Sequence, residues 1–143
     1  MKILNHILLL TLLLPSMAAA SDDRIAVIVN AANIQDISHQ DISNIYRDRI
    51  ITWDNGEKID IYNLPTISPS REKFSQKFLG ISAMASAAAE SNRHITNSSR
   101  NTQLLKRERL VLLSIASNKN AIGYVKESHI KQKKGIRILF SID

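Results

Sequence analysis

The feature that most constrains the fold is an uninterrupted apolar run near the start of the chain, IAVIV at residues 25–29, between Arg24 and Asn30. A strand with one face in water alternates apolar and polar residues, whereas this run contains no polar residue. Such runs are typical of strands that are covered on both faces, as in a parallel sheet. The run therefore predicts an α/β layered domain with this strand inside the sheet.

An amphipathic helix is predicted after this strand. Ser38 and Asp41 have the spacing of a capping box, and Ile37 and Ile42 have the spacing of the hydrophobic staple that often accompanies one. Four apolar residues then recur at helical spacing: Ile42, Ile45, Tyr46 and Ile50. Strand, loop and helix together form the first half of a βαβ unit.

A second strand is predicted at residues 58–62, after the turn signal Asn55-Gly56. Two connections are open. In a hairpin, residues 50–53 pair with residues 58–62; in a crossover, the second strand lies parallel to the first. We favour the crossover because the helical stripe extends to Ile50, and such a connection is right-handed.

The rest of the chain predicts three more helical stretches and two more strands. Ser68 and Pro69 suit the start of a helix that ends at Gly80. The later segments are an alanine-rich helix at 81–90, a polar loop at 91–103, a helix at 104–117, and strands at 121–125 and 136–142. In the first of these strands, Gly123 predicts a close approach by a neighbouring element.

The first 20 residues have the features of a cleavable signal peptide. Lys2 precedes an apolar stretch at residues 7–14, and small residues precede Ser21. The apolar stretch is shorter than the roughly 20 residues that span a bilayer. We therefore predict cleavage after residue 20 and a single periplasmic domain at residues 21–143.

Charge and composition narrow the classes of partner. The chain has 19 basic and 13 acidic residues, and the predicted signal peptide carries one of the basic ones, which leaves 18 − 13 = +5. A basic domain favours anionic partners, and export argues against nucleic acid. The chain contains no cysteine, which excludes disulfides and thiolate metal sites. We expect no cofactor.

Three stretches in this order resemble the small members of the phosphate transporter solute-binding family, which are type II periplasmic binding proteins. They are IYRDRIITWDNG at 45–56, SPSREKF at 68–74 and AIGYV at 121–125. The resemblance implies a single-lobe periplasmic-binding-protein-like domain, with a mixed, mostly parallel sheet flanked by helices. It also implies a non-catalytic protein that binds phosphate or another small oxyanion.

The resemblance also implies a location for the anion. In two-lobed members a Ser-Gly-Thr at a helix start grips the anion, and Ser68-Pro69-Ser70 occupies the matching place here, with Phe74 following. Pro69 replaces the glycine and removes one N–H donor. Arg71 would supply positive charge from the first turn of the helix.

The residues themselves support an anion site at the same place. A helix N-terminus offers unpaired N–H groups and a partial positive charge. Ligands of open α/β sheets lie beyond the carboxyl ends of strands, where the loop after the first strand would also lie. The predicted anion-binding residues are Ser68, Ser70, Arg71, Asn30 and Asn33. In the alternative interpretation Ser68 only caps the helix, and Arg71 pairs with Glu72 or another nearby acid.

Patterns that would indicate an enzyme are weak. Two segments match S-x-x-K, at residues 70–73 and 128–131, but neither companion motif of the penicillin-recognising proteins is present. His39, His94 and His129 lie far apart in the sequence, without the spacing of a zinc site or a triad. We therefore predict a protein that is not an enzyme.

Two functions remain open. In the first, the domain binds phosphate or a similar oxyanion for uptake or sensing, and serves a membrane transporter or receptor. In the second, it has lost ligand binding and acts as a protein-interaction or sensory module of the envelope. The sequence leaves open whether a dimer supplies a second lobe.

Overall fold

Five strands form one sheet within residues 23–132 and 134–143, which are the residues that the computed structural model describes. The strands are β1 (Ile25–Asn30), β2 (Asp60–Asn63), β3 (Leu104–Leu105), β4 (Ala121–Lys126) and β5 (Ile136–Ile142). The α-helices among these residues are α1 (His39–Tyr46), α2 (Pro69–Phe74), α3 (Ala83–Ile95) and α4 (Glu108–Ser117). The predicted signal peptide lies outside the described residues.

The strand order is β3-β2-β4-β1-β5. β2 runs parallel to β3 and β4, whereas β1 runs antiparallel to both of its neighbours, β4 and β5. Four strands therefore point one way and β1 points the other. This arrangement confirms the mixed, mostly parallel sheet of the predicted α/β fold. The parallel crossover from β1 to β2 is wrong, because β4 lies between these strands and β1 is reversed.

Helices cover both faces of the sheet. Gly123 of β4 faces α4, where Val111 and Ile115 lie beside it. The next residue, Tyr124, points to the other face and stacks on Phe74 of α2, with ring centroids 4.0 Å apart. All six residues of β1 are buried between these layers. The apolar run of β1 therefore indicates burial on both faces of the sheet, and it does not indicate parallel pairing.

The capping box predicted for α1 is confirmed. Ser38 Oγ accepts a hydrogen bond from the Asp41 N–H at 3.1 Å, and Asp41 Oδ2 accepts one from the Ser38 N–H at 2.8 Å. The helix ends at Tyr46 rather than at Ile50, because the backbone turns into the left-handed region at Asp48, with φ 65°.

The loop between α1 and β2 contains a short hairpin, as the alternative connection predicts in part. Thr52 and Lys58 form an antiparallel bridge, and the Trp53 N–H donates to the Glu57 carbonyl at 2.8 Å. Both sides of this hairpin precede β2, which begins at Asp60. The hairpin interpretation therefore describes the loop, and β2 pairs separately with β4.

After β2, the predicted end of the second helix is confirmed, and the chain then differs from its prediction at two places. A π-helical turn, Ser75–Leu79, extends α2 to the predicted end at Gly80. α3 continues to Ile95, into the segment predicted as a loop. Leu104 and Leu105 form the edge strand β3 instead of opening a helix, and α4 begins at Glu108. Among the described residues, no helix has the length and hydropathy to cross a bilayer.

Candidate functional site

The carboxyl edge of the sheet is the end where β2 and β4 finish, at Asn63 and Lys126. The chain leaves β2 here through a proline-containing turn and enters α2 at Ser68, whose N–H donates to the Pro65 carbonyl at 2.9 Å. Ser68 has the extended backbone of an N-cap, but its side chain makes no capping hydrogen bond. The predicted helix start is therefore present at this edge, with the Ser68 hydroxyl unused as a cap.

The structure separates the five predicted anion-binding residues into two groups. Because β1 is antiparallel to β4, Asn30 lies at the opposite edge, while Ile25 at the start of β1 pairs with Lys126 at the carboxyl edge. Asn30 Nδ2 donates to the Ile115 carbonyl at 2.7 Å, and Asn33 Oδ1 accepts from the Gln35 N–H at 3.1 Å. The expectation that these asparagines join Ser70 in one site is wrong, since it assumed that β1 and β2 are parallel.

Arg71 points into the protein and is 1% exposed. Its Nη1 donates to the Leu64 carbonyl at 2.8 Å, and its Nη2 lies 4.0 Å from Glu90 Oε2 on α3. Within the part of the chain that the structure describes, neither Nε nor Nη2 has a hydrogen-bond partner. Arg71 therefore pairs with an acid, as the alternative interpretation held, but the acid is Glu90 rather than Glu72.

A buried polar network lies next to this ion pair. The Tyr124 hydroxyl donates to Asn63 Oδ1, Asn63 Nδ2 donates to Gln103 Oε1 at 2.6 Å, and Gln103 Nε2 donates to the Tyr46 carbonyl at 3.0 Å. Burial raises the pKa of both tyrosines, so both hydroxyls keep their protons at neutral pH. The network ties α1, β2 and β4 together at the carboxyl edge.

An acidic side chain of the protein itself lies at the Ser70 hydroxyl. Ser70 Oγ donates to Glu108 Oε1 at 2.8 Å, and the other oxygen of Glu108 contacts His129 Nδ1. Glu108 opens the first turn of α4, where a carboxylate is favoured by the helix dipole. Sequence reasoning missed this contact, because Ser70 and Glu108 lie 38 positions apart in the chain.

A hollow of about 300 Å³ lies beside Ser70. It is lined by Asp23, Ile25, Pro69, Ser70, Lys73 and Lys126. Lys73 Nζ donates to the Asp23 carbonyl at 2.6 Å, and Lys126 Nζ lies 3.3 Å from Asp23 Oδ1. Two lysines and a serine thus line a small space, with the Asp23 carboxylate at Lys126 and the Glu108 carboxylate at the Ser70 hydroxyl.

The described residues contain no group of three metal-ligating side chains close enough together to hold an ion. The two ends of the first S-x-x-K segment also point to different partners: Ser70 bonds to Glu108, and Lys73 bonds to Asp23. The carboxyl edge therefore carries positive charges that can bind an anion. Because Ser70 and Lys73 bond to different partners, they do not form a nucleophile and its base.

Three solved structures share this fold. An ABC-type phosphate transport receptor from Vibrio cholerae matches with TM-score 0.60 and 18% identity. A protein from Clostridium perfringens, described as a phosphate ABC transporter substrate-binding protein with bound phosphate, matches with TM-score 0.61 and 20% identity. A protein from Planctomyces limnophilus, described as a possible phosphate-binding protein, matches with TM-score 0.59 and 16% identity.

The chain has the fold of part of these phosphate-binding proteins. Each match covers 82% of this chain but only 45%, 44% and 40% of the respective neighbour. The chain therefore spans less than half the length of the structures it resembles. The resemblance predicted from the three sequence stretches is confirmed as a likeness of fold. No protein-family model matches the chain, and no curated protein matches it significantly.

Proposed function

We propose that the chain is an exported, non-catalytic domain that binds a small oxyanion, such as phosphate, at the carboxyl edge. The observation that carries this proposal is the hollow beside Ser70, where Lys73 and Lys126 meet a serine hydroxyl. It lies beyond the ends of the parallel strands β2 and β4, where ligands of α/β sheets bind. Phosphate named in the descriptions of the three neighbours supports the choice of anion.

The proposed contacts keep part of the predicted site. Ser68 and Ser70 donate hydroxyl hydrogen bonds, and Lys73 and Lys126 supply charge. Arg71 does not contact the anion in this proposal. Its hydrogen bond to the Leu64 carbonyl stabilises the turn that carries Ser68 and Ser70. In the cell, such a domain would deliver its anion to, or report it to, a membrane transporter or receptor.

Glu108 competes for the proposed site. Since Ser70 donates to this carboxylate, an incoming oxyanion must displace Glu108 before it can use the hydroxyl. Two like charges close together repel each other, so the ionised carboxylate weakens the affinity for an anion. Removing Glu108 should therefore strengthen binding, whereas removing the lysines should weaken it.

Calorimetric titration with phosphate tests the proposal. We expect heat of binding for the domain of residues 21–143 at millimolar phosphate, at least tenfold weaker binding in Lys73→Ala/Lys126→Ala, and tighter binding in Glu108→Ala. Lys119→Ala is the matched control, because Lys119 is exposed and follows α4, away from the hollow. The proposal fails if neither the wild-type protein nor Glu108→Ala binds phosphate while both remain folded.

A second candidate is the interaction or sensory module without a ligand. The contact of Ser70 and His129 with Glu108 favours it, because the chain's own carboxylate then permanently occupies the place of an anion. In this case an envelope extract should yield one stoichiometric membrane partner, equally well with wild-type protein and with Ser70→Ala. A partner whose recovery depends on added phosphate would instead support the first candidate.

A further inference from the structure

A second cationic hollow lies on another part of the molecule, between the turn after α1 and the helix α3. Its volume is about 250 Å³, slightly below the range of about 300–1,000 Å³ that holds drug-sized ligands. Three arginines line it, Arg47, Arg49 and Arg93, and we call it the arginine hollow. The other lining residues are Tyr46, Leu79, Ile81, Ser86 and Ala89.

The charges of the arginine hollow have no carboxylate in contact. Among the ion pairs of residues 23–132 and 134–143, none involves Arg47, Arg49 or Arg93. Asp48 accepts the Arg100 N–H, and Glu90 interacts electrostatically with Arg93 as well as with Arg71. Three arginines thus line one hollow without a carboxylate of the described residues at ion-pair distance, and Glu90 offsets part of the charge of Arg93.

Backbone geometry explains how two of the arginines reach the same hollow. Asp48 stands between Arg47 and Arg49 with a positive φ of 65°, which is a costly conformation for a residue with a side chain. Asp48 is buried and turns inward to the loop after α3. The left-handed turn ends α1 abruptly and leaves its two arginine neighbours lining one hollow.

The lining indicates the chemistry of the ligand. Guanidinium groups bind phosphate through paired N–H donors, and the Ser86 hydroxyl adds another donor. Leu79, Ile81 and Ala89 form an apolar wall of the same hollow, which inorganic phosphate would leave unused. Arg47 already donates to the Leu79 carbonyl at 2.8 Å, which leaves Arg49 and Arg93 as the main free donors.

We propose that the arginine hollow binds a small phosphomonoester, with the phosphate on Arg49 and Arg93 and the organic group against the apolar wall. This site is separate from the carboxyl edge and does not depend on the function proposed there. It would give the domain two anion sites with different preferences, one for a bare oxyanion and one for an esterified phosphate.

Amide-resolved NMR titration tests this site, with glycerol 3-phosphate and inorganic phosphate as the two probes. We expect the ester to shift the amides of Ser86, Ala89 and Arg93 and to bind at least fivefold more tightly than inorganic phosphate at this position. Arg49→Gln and Arg93→Gln should each weaken the ester by at least tenfold. We leave Arg47 unchanged because its hydrogen bond to the Leu79 carbonyl supports the fold.

Two matched controls make the outcome decisive. Arg109→Gln removes the same charge from an exposed position of α4, and Lys73→Ala removes a lysine from the carboxyl edge. Neither should change the ester affinity at the arginine hollow. If Arg109→Gln weakened ester binding equally, the loss of affinity would come from net charge and not from this site. If the ester shifted only amides at the carboxyl edge, the proposed site would be overturned. An acidic peptide that shifts the same amides more strongly than the ester would also overturn the proposed ligand class.

Discussion

At the scale of single residues, the ion pair of Arg71 and Glu90 is the most unusual feature. Arg71 is almost fully buried, two of its nitrogens find no hydrogen-bond partner among the described residues, and its acid Glu90 lies 4.0 Å away. A buried pair of this kind contributes little net stability, but removing one partner leaves an uncompensated buried charge. The α2–α3 contact therefore depends on Glu90.

We predict that the pH dependence of stability changes in Glu90→Gln. Burial raises the pKa of Glu90 above its ordinary value of 4.5, and the opposing effect of Arg71 is smaller. The folded state therefore holds this proton more tightly than the unfolded chain. As pH rises through 4.5 towards the folded pKa, the unfolded chain loses the proton first, and the folded protein loses stability.

Urea unfolding of both proteins between pH 4 and pH 7 measures this effect. The unfolding free energy of the wild-type protein relative to Glu90→Gln should fall across the window and level off above the folded pKa. A difference that stays constant, or rises with pH, would show that Glu90 is not held protonated by burial.

A second residue-scale prediction compares two of the serine N-caps, Ser38 and Ser68. Ser38→Ala should cost about 1 kcal/mol of stability, because it removes the hydroxyl that accepts the Asp41 N–H. Ser68→Ala should cost less than about 0.5 kcal/mol, since Ser68 makes no side-chain capping bond. Thermal unfolding of the two variants compares them directly, and equal losses would contradict the different roles of these caps.

Which residue contacts could be predicted depends on how far apart they lie in the sequence. Ser38 and Asp41 are three positions apart, so the spacing alone revealed their bond. Glu90 is distant from Arg71, and Glu108 is distant from Ser70, so no local pattern could connect them. The part of the candidate site that depends on such long-range pairs therefore could not be predicted from the sequence.

At the scale of elements, the packing of α4 on β4 depends on a missing side chain. A Cβ atom at Gly123 would lie 2.8 Å from Val111 Cγ1 and 3.4 Å from Tyr62 Cβ. The close approach that the glycine predicted is confirmed, and the approaching element is α4. This contact sets how closely the helix lies over the sheet.

We predict that Gly123→Ala destabilises the domain by about 1–3 kcal/mol through overpacking. The loss should be smaller in a Val111→Ala background, because truncating Val111 removes the closest atom. Chemical unfolding of the four proteins gives the coupling between the two positions. If the two substitutions changed the unfolding free energy additively, α4 would have shifted away from β4 as a whole, and the new Cβ atom would not clash with Val111.

Element types were more predictable than element directions. Complete burial of β1 produces the same apolar run whether its neighbours are parallel or antiparallel, so the run could not reveal that β1 is reversed. That reversal moved Asn30 to the opposite edge from Ser70. The short edge strand β3 was missed because two residues carry no recognisable period.

At the scale of the whole molecule, the first strand lies between strands from the end of the chain. β1 pairs with β4 on one side and with β5 on the other, so that Ile25 meets both Lys126 and Ile142. Removing residues 136–143 would leave the most buried strand with one unpaired edge. The sheet therefore cannot be completed without β5.

We predict that a chain ending at Gly135 does not unfold cooperatively. The loss of β5 exposes the backbone of β1 and apolar side chains that were packed beneath it, and such edges promote aggregation. Circular dichroism during heating and size-exclusion chromatography measure the two effects. Removing only Asp143, which is exposed and follows β5, is the control and should leave the melt unchanged.

The position of β1 also sets the timing of folding in a chain that is threaded amino end first, whether from a ribosome or through a membrane pore. β1 can pair with β4 only after residues 121–126 have emerged, and its other side stays unpaired until residues 136–142 of β5 have emerged. Contacts so distant along the chain close slowly. The sheet of such a chain therefore cannot close before β5 has emerged.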